Sequence, residues 1–222
     1  MTRVGVLVMA KSPVAGQVKT RLAADVGDDT AADVAAASLV DTLSTVALTG
    51  LPCVVAWSGL LATARRADDV AVALDRCEVV PQRGDRFAER LAAAHHDAAI
   101  VLGDAQVVQI GMDTPQLTAD HILAAATCLK RHDAALGIAV DGGWWALAVR
   151  VPGLAAGLTD VPMSREDTAA RTMQMLARNR ASVALLGVMR DVDTVDDARL
   201  VAQHPTCGPR YAAAAAAAMG RE

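Results

Sequence analysis

Residues 107–118 read Val107-Val108-Gln109-Ile110-Gly111-Met112-Asp113-Thr114-Pro115-Gln116-Leu117-Thr118. The first six form a short, mostly apolar run and predict a buried strand over Val107–Met112. Asp113 stands at its end, and Pro115 breaks the chain at once. Thr118 is placed to cap a helix running from Ala119 to His132. A strand that delivers an acid and then turns back through a helix is the repeating unit of a parallel sheet.

Both flanks repeat that alternation. Toward the N-terminus the pattern predicts strands over Val4–Met9, Pro52–Trp57 and, more weakly, Glu78–Pro81. Between them lie a polar loop (Lys11–Leu22), a helix over Thr30–Leu48, a short helix over Leu60–Ala67 and a helix over Asp85–Ala99. Toward the C-terminus it predicts strands over Ala134–Val140 and Trp144–Val149, a helix over Arg165–Ala177, a strand over Ala181–Leu186 and a helix over Thr194–Gln203. The expected fold is therefore three-layer α/β/α with a mostly parallel sheet, as one domain over residues 1–204. Residues 205–222 read as a tail. Its Tyr211–Met219 stretch is almost pure alanine, lacks an amphipathic pattern, and predicts a frayed helix or disorder with no function.

Composition narrows the function classes. The chain has 222 residues, 53% hydrophobic and 21% charged, with a formal net charge of −4. That balance offers no basic face for nucleic acid, though a few local cations suffice for a nucleotide's phosphates. Aromatic residues are only 2%, so the core must be aliphatic. No signal peptide and no run of about 18 apolar residues is evident, so a cytoplasmic protein without a transmembrane segment is expected. The four cysteines are far apart in sequence and read as small hydrophobes. A G-x-S-x-G elbow, a Walker A loop and a G-x-G-x-x-G turn are all missing. His95 and His96, adjacent on a helix, are a poor metal pair and read as structural or surface residues.

Four motifs carry chemistry, and ligands of such sheets bind beyond the carboxyl ends of the strands. After the first strand comes Ala10-Lys11-Ser12-Pro13-Val14-Ala15-Gly16-Gln17-Val18-Lys19-Thr20-Arg21. Its cations could wrap a diphosphate, Lys as a point charge and Arg as a fork, while Pro13 and Gly16 turn the backbone. The bland alternative is a solvated basic loop. Asp113 would point into the crevice and could hold Mg2+ or Mn2+ against phosphate oxygens, or could simply bond its own turn. In Asp191-Val192-Asp193-Thr194, alternation puts both carboxylates on one side. They would repel unless a cation sits between them, so Asp113, Asp191 and Asp193 make a plausible metal set. Asp193 or Thr194 could instead cap the last helix. In Asp141-Gly142-Gly143-Trp144-Trp145, the glycines admit a ligand close to the backbone. Asp141 could bind sugar hydroxyls or act as a general base, and a tryptophan could stack on a sugar or pack in the core.

Together these motifs resemble the bacterial arsenosugar-biosynthesis-type glycosyltransferases. The pattern A-K-x-P-x-x-G-x-V-K-T-R-L, an acid in D-x-P-x-L-T, then D-G-G-W-W and a late D-V-D-T stand in that order from about Val4 to Leu200. The resemblance implies a GT-A, nucleotide-diphospho-sugar transferase fold. A more distant resemblance links the chain to the 2-phospholactate and phosphoenolpyruvate guanylyltransferases, which carry similar segments. Carried over by motif, these likenesses place Ala10, Lys11, Pro13, Gly16, Lys19, Arg21, Gln82 and Asp113 around a nucleotide. They place Asp113, Asp191 and Asp193 on Mg2+ or Mn2+, and Asp141, Gly142, Gly143 and Trp144 at the acceptor or sugar. Asp141, Lys19 and Arg21 become the expected catalytic residues. The chain departs from the family pattern at Gly137-Ile138-Ala139 and at Met112, which leaves the sugar and acceptor open.

The leading expectation is a glycosyltransferase using a nucleotide sugar and a small-molecule acceptor. A nucleotidyltransferase releasing pyrophosphate stands second, and a non-catalytic nucleotide-binding protein third. No nucleic-acid partner is expected, and a homodimer is compatible with the sequence.

Overall fold

The computed structural model describes residues 3–220. Its centre is a seven-stranded sheet of order β3-β2-β1-β4-β6-β5-β7. The strands are β1 (Val4–Lys11), β2 (Cys53–Ser58), β3 (Glu78–Pro81), β4 (Gln106–Ile110), β5 (Ala134–Ala139), β6 (Trp144–Val149) and β7 (Val183–Met189). Only β6 runs antiparallel to its neighbours, β4 and β5. The mostly parallel sheet expected from the alternation is present.

Side chains alternate across the sheet, and that alternation sorts the core into layers. Val6, Val8, Val55, Val108 and Ile110 meet α2 (Asp28–Leu48), α3 (Ala67–Leu74) and α5 (Ala119–Cys128) on one face. Leu7, Met9, Val54, Val107 and Leu147 meet α4 (Phe87–Val101), α6 (Thr168–Arg178) and the 3-10 segment Pro152–Asp160 on the other. Gln109 shares the second face, so a polar side chain stands inside an apolar layer. By length and hydropathy α2 could cross a membrane, but most of it is buried in this fold.

Three expectations need correction. The loop Lys11–Leu22 is shorter than expected. β1 continues through Lys11, and a helix, α1 (Thr20–Val26), begins immediately after Lys19, which adopts left-handed geometry at φ 48°. The short helix expected over Leu60–Ala67 is only a 3-10 turn, Leu61–Thr63, and α3 starts at Ala67. Arg66 sets that start: its backbone is left-handed and its guanidinium forms a two-pronged pair with Asp33 on α2, at 2.8 and 2.7 Å.

The third correction concerns the alanine-rich tail. It forms α8 (Pro209–Met219), docked on α2 and α7 (Val195–Ala202) with Tyr211 fully buried. Amphipathic contrast is weak because both partners present alanine: Ala214 and Ala215 meet Ala31, Val34 and Ala37. Buried Asp41 of α2 accepts the Tyr211 N–H at 2.8 Å and lies 3.2 Å from the Arg210 guanidinium. A carboxylate at a helix N-terminus satisfies a donor there and complements its dipole.

Candidate active site

All four motifs reach the same edge of the sheet, where β1, β4, β5 and β7 end. The loops after β4 and β7 are stitched together. The Val192 N–H donates to the Asp113 carbonyl at 3.0 Å, and the Gln116 amide donates to the Arg190 carbonyl at 2.7 Å. Ser38 on α2 donates to the Met112 carbonyl at 2.6 Å and fixes the chain just before Asp113. Thr194, with Asp197, forms the capping box of α7. That leaves the Asp193 carboxylate turned toward the crevice.

Lys19 is the centre of the arrangement. Its ammonium lies 2.9 Å from Asp113 Oδ1 and 3.1 Å from Asp193 Oδ1, and its side chain is only 8% exposed. Burial is the largest single influence on it and works against the charge. The two carboxylates together outweigh burial and hold the ammonium above its ordinary range. Arg21, in the first turn of α1, approaches Asp193 Oδ2 at 3.6 Å from the solvent side. Lys11 donates to the Gln17 carbonyl at 2.6 Å and stays exposed.

Asp191 lies deeper. Burial first, then repulsion from Asp113, Asp141 and Asp193 set against attraction to Lys19, pushes its carboxyl up to about 7. The expected metal acids Asp113, Asp191 and Asp193 therefore share one electrostatic neighbourhood. Among the described residues, however, no three acidic, histidine or cysteine side chains form a ready metal cage. Lys19 stands between Asp113 and Asp193 as their counter-charge.

Two cavities meet at this point. One, of about 320 Å³, is lined by Lys11, Gln17, Lys19, Thr20, Arg21 and the shared acids Asp113 and Asp193. The other, of about 220 Å³, holds Asp113, Asp193, Asp191 and Asp141 at its polar end and Phe87, Leu91 and Trp144 among its apolar walls. The first cavity is the basic one, and none of the residues lining the second is a lysine, arginine or histidine.

The turn that carries Asp141 is rigid. Asp141 Oδ1 accepts the Gly143 N–H at 2.8 Å. Gly142 has φ 86°, and a Cβ there would collide with the Glu166 backbone, so this position requires glycine. The two tryptophans divide the expected roles. Trp145 is buried, donates to the Gly187 carbonyl at 2.9 Å and crosses over Gly137, which has no Cβ to obstruct the ring. Trp144 faces the opposite layer and lines the uncharged walls of the smaller cavity.

Several of the expected nucleotide contacts hold the scaffold together. The Gln82 amide group donates to the Ala10 and Ala56 carbonyls at 2.9 and 3.0 Å, tying β1 to β2. Pro13 is buried, and its carbonyl accepts the Arg65 N–H at 2.9 Å. Gly16 turns the loop at φ 73°. Ala10, Pro13, Gly16 and Gln82 line neither cavity. Conversely, Gln17, Phe87, Gln109 and Met163 belong to the cavity walls, and the motif reading did not single them out. For Gln109 a signal exists: it is the one polar residue in the interior of the Val107–Ile110 run.

Comparison with known proteins bears on the family and the fold. The chain is 32% identical over 201 residues to the 3-phospho-D-glycerate guanylyltransferase of Phenylobacterium zucineum, covering 87% of this chain and 88% of that one. A crystal structure from Desulfovibrio desulfuricans G20, described as a candidate nucleotide-diphospho-sugar transferase, superposes with a TM-score of 0.81 at 26% identity, over 96% of this chain and 94% of that one. Rv0371c of Mycobacterium tuberculosis, crystallised with manganese, shares the fold at a TM-score of 0.55 and 21% identity, over 90% of this chain and 97% of that one. The fold is thus of the nucleotide-diphospho-sugar transferase type. A family model matches residues 42–165, and the chain belongs to the family that model describes as "Uncharacterized protein conserved in bacteria (DUF2064)".

Proposed function

We propose that the protein is a cytoplasmic nucleotidyltransferase that joins a nucleoside monophosphate to a phosphorylated small molecule and releases pyrophosphate. The observation that carries this reading is Lys19, held between the two acids that belong to both cavities. The basic cavity suits a nucleoside triphosphate, and the adjoining one, with apolar walls and four aspartates, suits an acceptor. Their seam is where an acceptor phosphate oxygen would attack the α-phosphorus. The bond from that phosphorus to the bridging oxygen breaks, and its electron pair leaves with pyrophosphate. Lys19 and Arg21 would donate hydrogen bonds to phosphate oxygens as charge shifts to the leaving group. Asp141, fixed by its own turn, would orient the acceptor.

A divalent cation fits the chemistry of the site. Asp113, Asp191 and Asp193 offer hard oxygens, and a cation would offset the burial and the carboxylate crowding that together raise Asp191. Mg2+ or Mn2+ held there would neutralise phosphate charge. The manganese complex of Rv0371c supports that choice.

The relative's name makes GTP the first triphosphate to test. Purified protein would be screened by thermal shift against the four nucleoside triphosphates and against nucleotide sugars, each with and without Mn2+. Pyrophosphate release would be read with phosphorylated acceptors. A triphosphate-dependent shift with pyrophosphate release is expected. A shift with nucleotide sugars alone would remove the reading. Glycosyl transfer, including the arsenosugar branch of the resemblance, remains a second reading because Trp144 and Asp141 line a cavity without cations. It requires the nucleotide-sugar result without pyrophosphate.

A further inference from the structure

The inner wall of the acceptor cavity contains buried polar groups whose hydrogen bonding within the fold is incomplete. Gln109 is 0% exposed and lines the cavity; its amide lies beside the His95 ring, but neither amide atom makes a hydrogen bond of good geometry among the described residues. The Trp144 indole N–H is also buried and without a partner, and Trp144 lines the same cavity. His95 on α4, in the same layer, is fully buried with both ring nitrogens unpaired. Folding normally removes such orphans, because a buried polar group without a partner keeps its full desolvation penalty. Two such groups at one cavity wall, Gln109 and Trp144, mark a place where a ligand can supply the missing partners.

The chemistry of that wall is specific. Gln109 offers one acceptor and two donors, and Trp144 offers one donor. Met9, Phe87, Leu91 and Met163 provide apolar walls around them. With no cation in the lining, a carboxylate or second phosphate would be desolvated without a counter-charge. Charge is accommodated only at the seam, beside Lys19.

We propose that Gln109 and Trp144 form a specificity subsite for the far end of the acceptor, and that this end is uncharged and hydroxyl- or amide-bearing. The acceptor is then a phosphomonoester with its phosphate at the seam and a neutral, hydrogen-bonding end against Gln109. This inference rests on the assignment of the smaller cavity to the acceptor. It sets this chain apart from its guanylyltransferase relative, whose named substrate, 3-phospho-D-glycerate, ends in a carboxylate.

Glycerol 3-phosphate and 3-phospho-D-glycerate are probes of similar size that differ at that end. Their affinities for the full chain would be measured by calorimetry with Mg2+ and a non-hydrolysable GTP analogue present. The parent protein should prefer glycerol 3-phosphate by about tenfold or more, as a site built around hydrogen bonds rejects a mismatched group. Gln109→Leu should abolish the preference, with denaturant unfolding measured alongside to show that the variant is folded. Trp144→Phe provides a second variant and should weaken glycerol 3-phosphate alone. Equal or tighter binding of 3-phospho-D-glycerate overturns the proposal, as does a preference that survives both substitutions. Binding of neither probe also overturns it. Titration of the GTP analogue alone reports separately on the basic cavity, so failure of the nucleotide reading is distinguishable.

Discussion

The Lys19 ammonium stands 2.9 Å from the Asp113 carboxylate, on the seam between the two cavities. It is the shared counter-charge of Asp113 and Asp193 in the free protein, and in the proposed reading it would face the phosphates of a bound nucleotide. Lys19→Met should therefore weaken nucleotide binding by at least about tenfold, the worth of one charge-assisted hydrogen bond. It should also leave two acids facing each other without their cation. The variant is expected to show a larger stabilising thermal shift with Mn2+ alone than the parent does, because the metal replaces a lost charge. A Mn2+ response identical to the parent's would mean that ammonium and metal do not share these acids.

His95 predicts a pH effect on stability. Burial, offset in part by Gln109, lowers its imidazole to about 4 from 6.5. Below pH 6.5 the unfolded chain takes up a proton that the folded chain refuses, so this group costs stability as pH falls, levelling off below about 4. At pH 5 the loss is about 2 kcal/mol relative to pH 7.5. Asp191 acts in the opposite sense: raised to about 7, it binds a proton in the folded state first and adds stability as pH falls from 7 toward its ordinary 3.8. The parent profile is a difference of two slopes. Denaturant unfolding of the parent and of His95→Gln at both pH values isolates the histidine. Parallel profiles would show that His95 is not the buried neutral group described.

Much of this was legible in the sequence. The alternation of apolar runs and helical periods gave the layered sheet, and the strand-end acids gave the seam, because strand ends are where such sheets leave polar side chains exposed. What could not be read depends on contacts between distant segments. α1 begins just after Lys19, a residue that two acids from other loops hold. Helix α8 is stabilised by Asp41, on a helix far away in sequence, and not by any pattern of its own. Gln82 carries a plausible ligand chemistry, but its amide bridges two strands.

The docking of α8 is itself testable. Tyr211 is fully buried and its N–H depends on Asp41. Tyr211→Ala should cost about 3 kcal/mol or more, the usual penalty for emptying an aromatic site. Asp41→Ala should cost about 1–3 kcal/mol, because it orphans a buried helix N–H. Deletion from Pro209 onward should destabilise at least as much as Tyr211→Ala. An unchanged melting temperature for the truncated chain would restore the frayed-tail expectation.

Asp141→Asn separates the two catalytic readings. Asparagine keeps the size of the side chain, and its amide oxygen can still accept the Gly143 N–H, so the turn should survive. Nucleotide affinity should stay within a few-fold, because Asp141 does not line the basic cavity. The effect on turnover depends on the nucleophile. A phosphomonoester has a second pKa near 6 and is already an oxyanion at neutral pH, so it needs no base. Nucleotidyl transfer through such an acceptor should lose no more than about tenfold, reflecting orientation alone. A sugar or alcohol hydroxyl must lose a proton as it attacks, and removing its base should cost about 10²-fold or more. The small loss is the expected result, with kcat measured at saturating nucleotide between pH 7 and 9. A loss of a hundredfold that shrinks as pH rises would identify Asp141 as a general base, and with it a hydroxyl acceptor and glycosyl transfer.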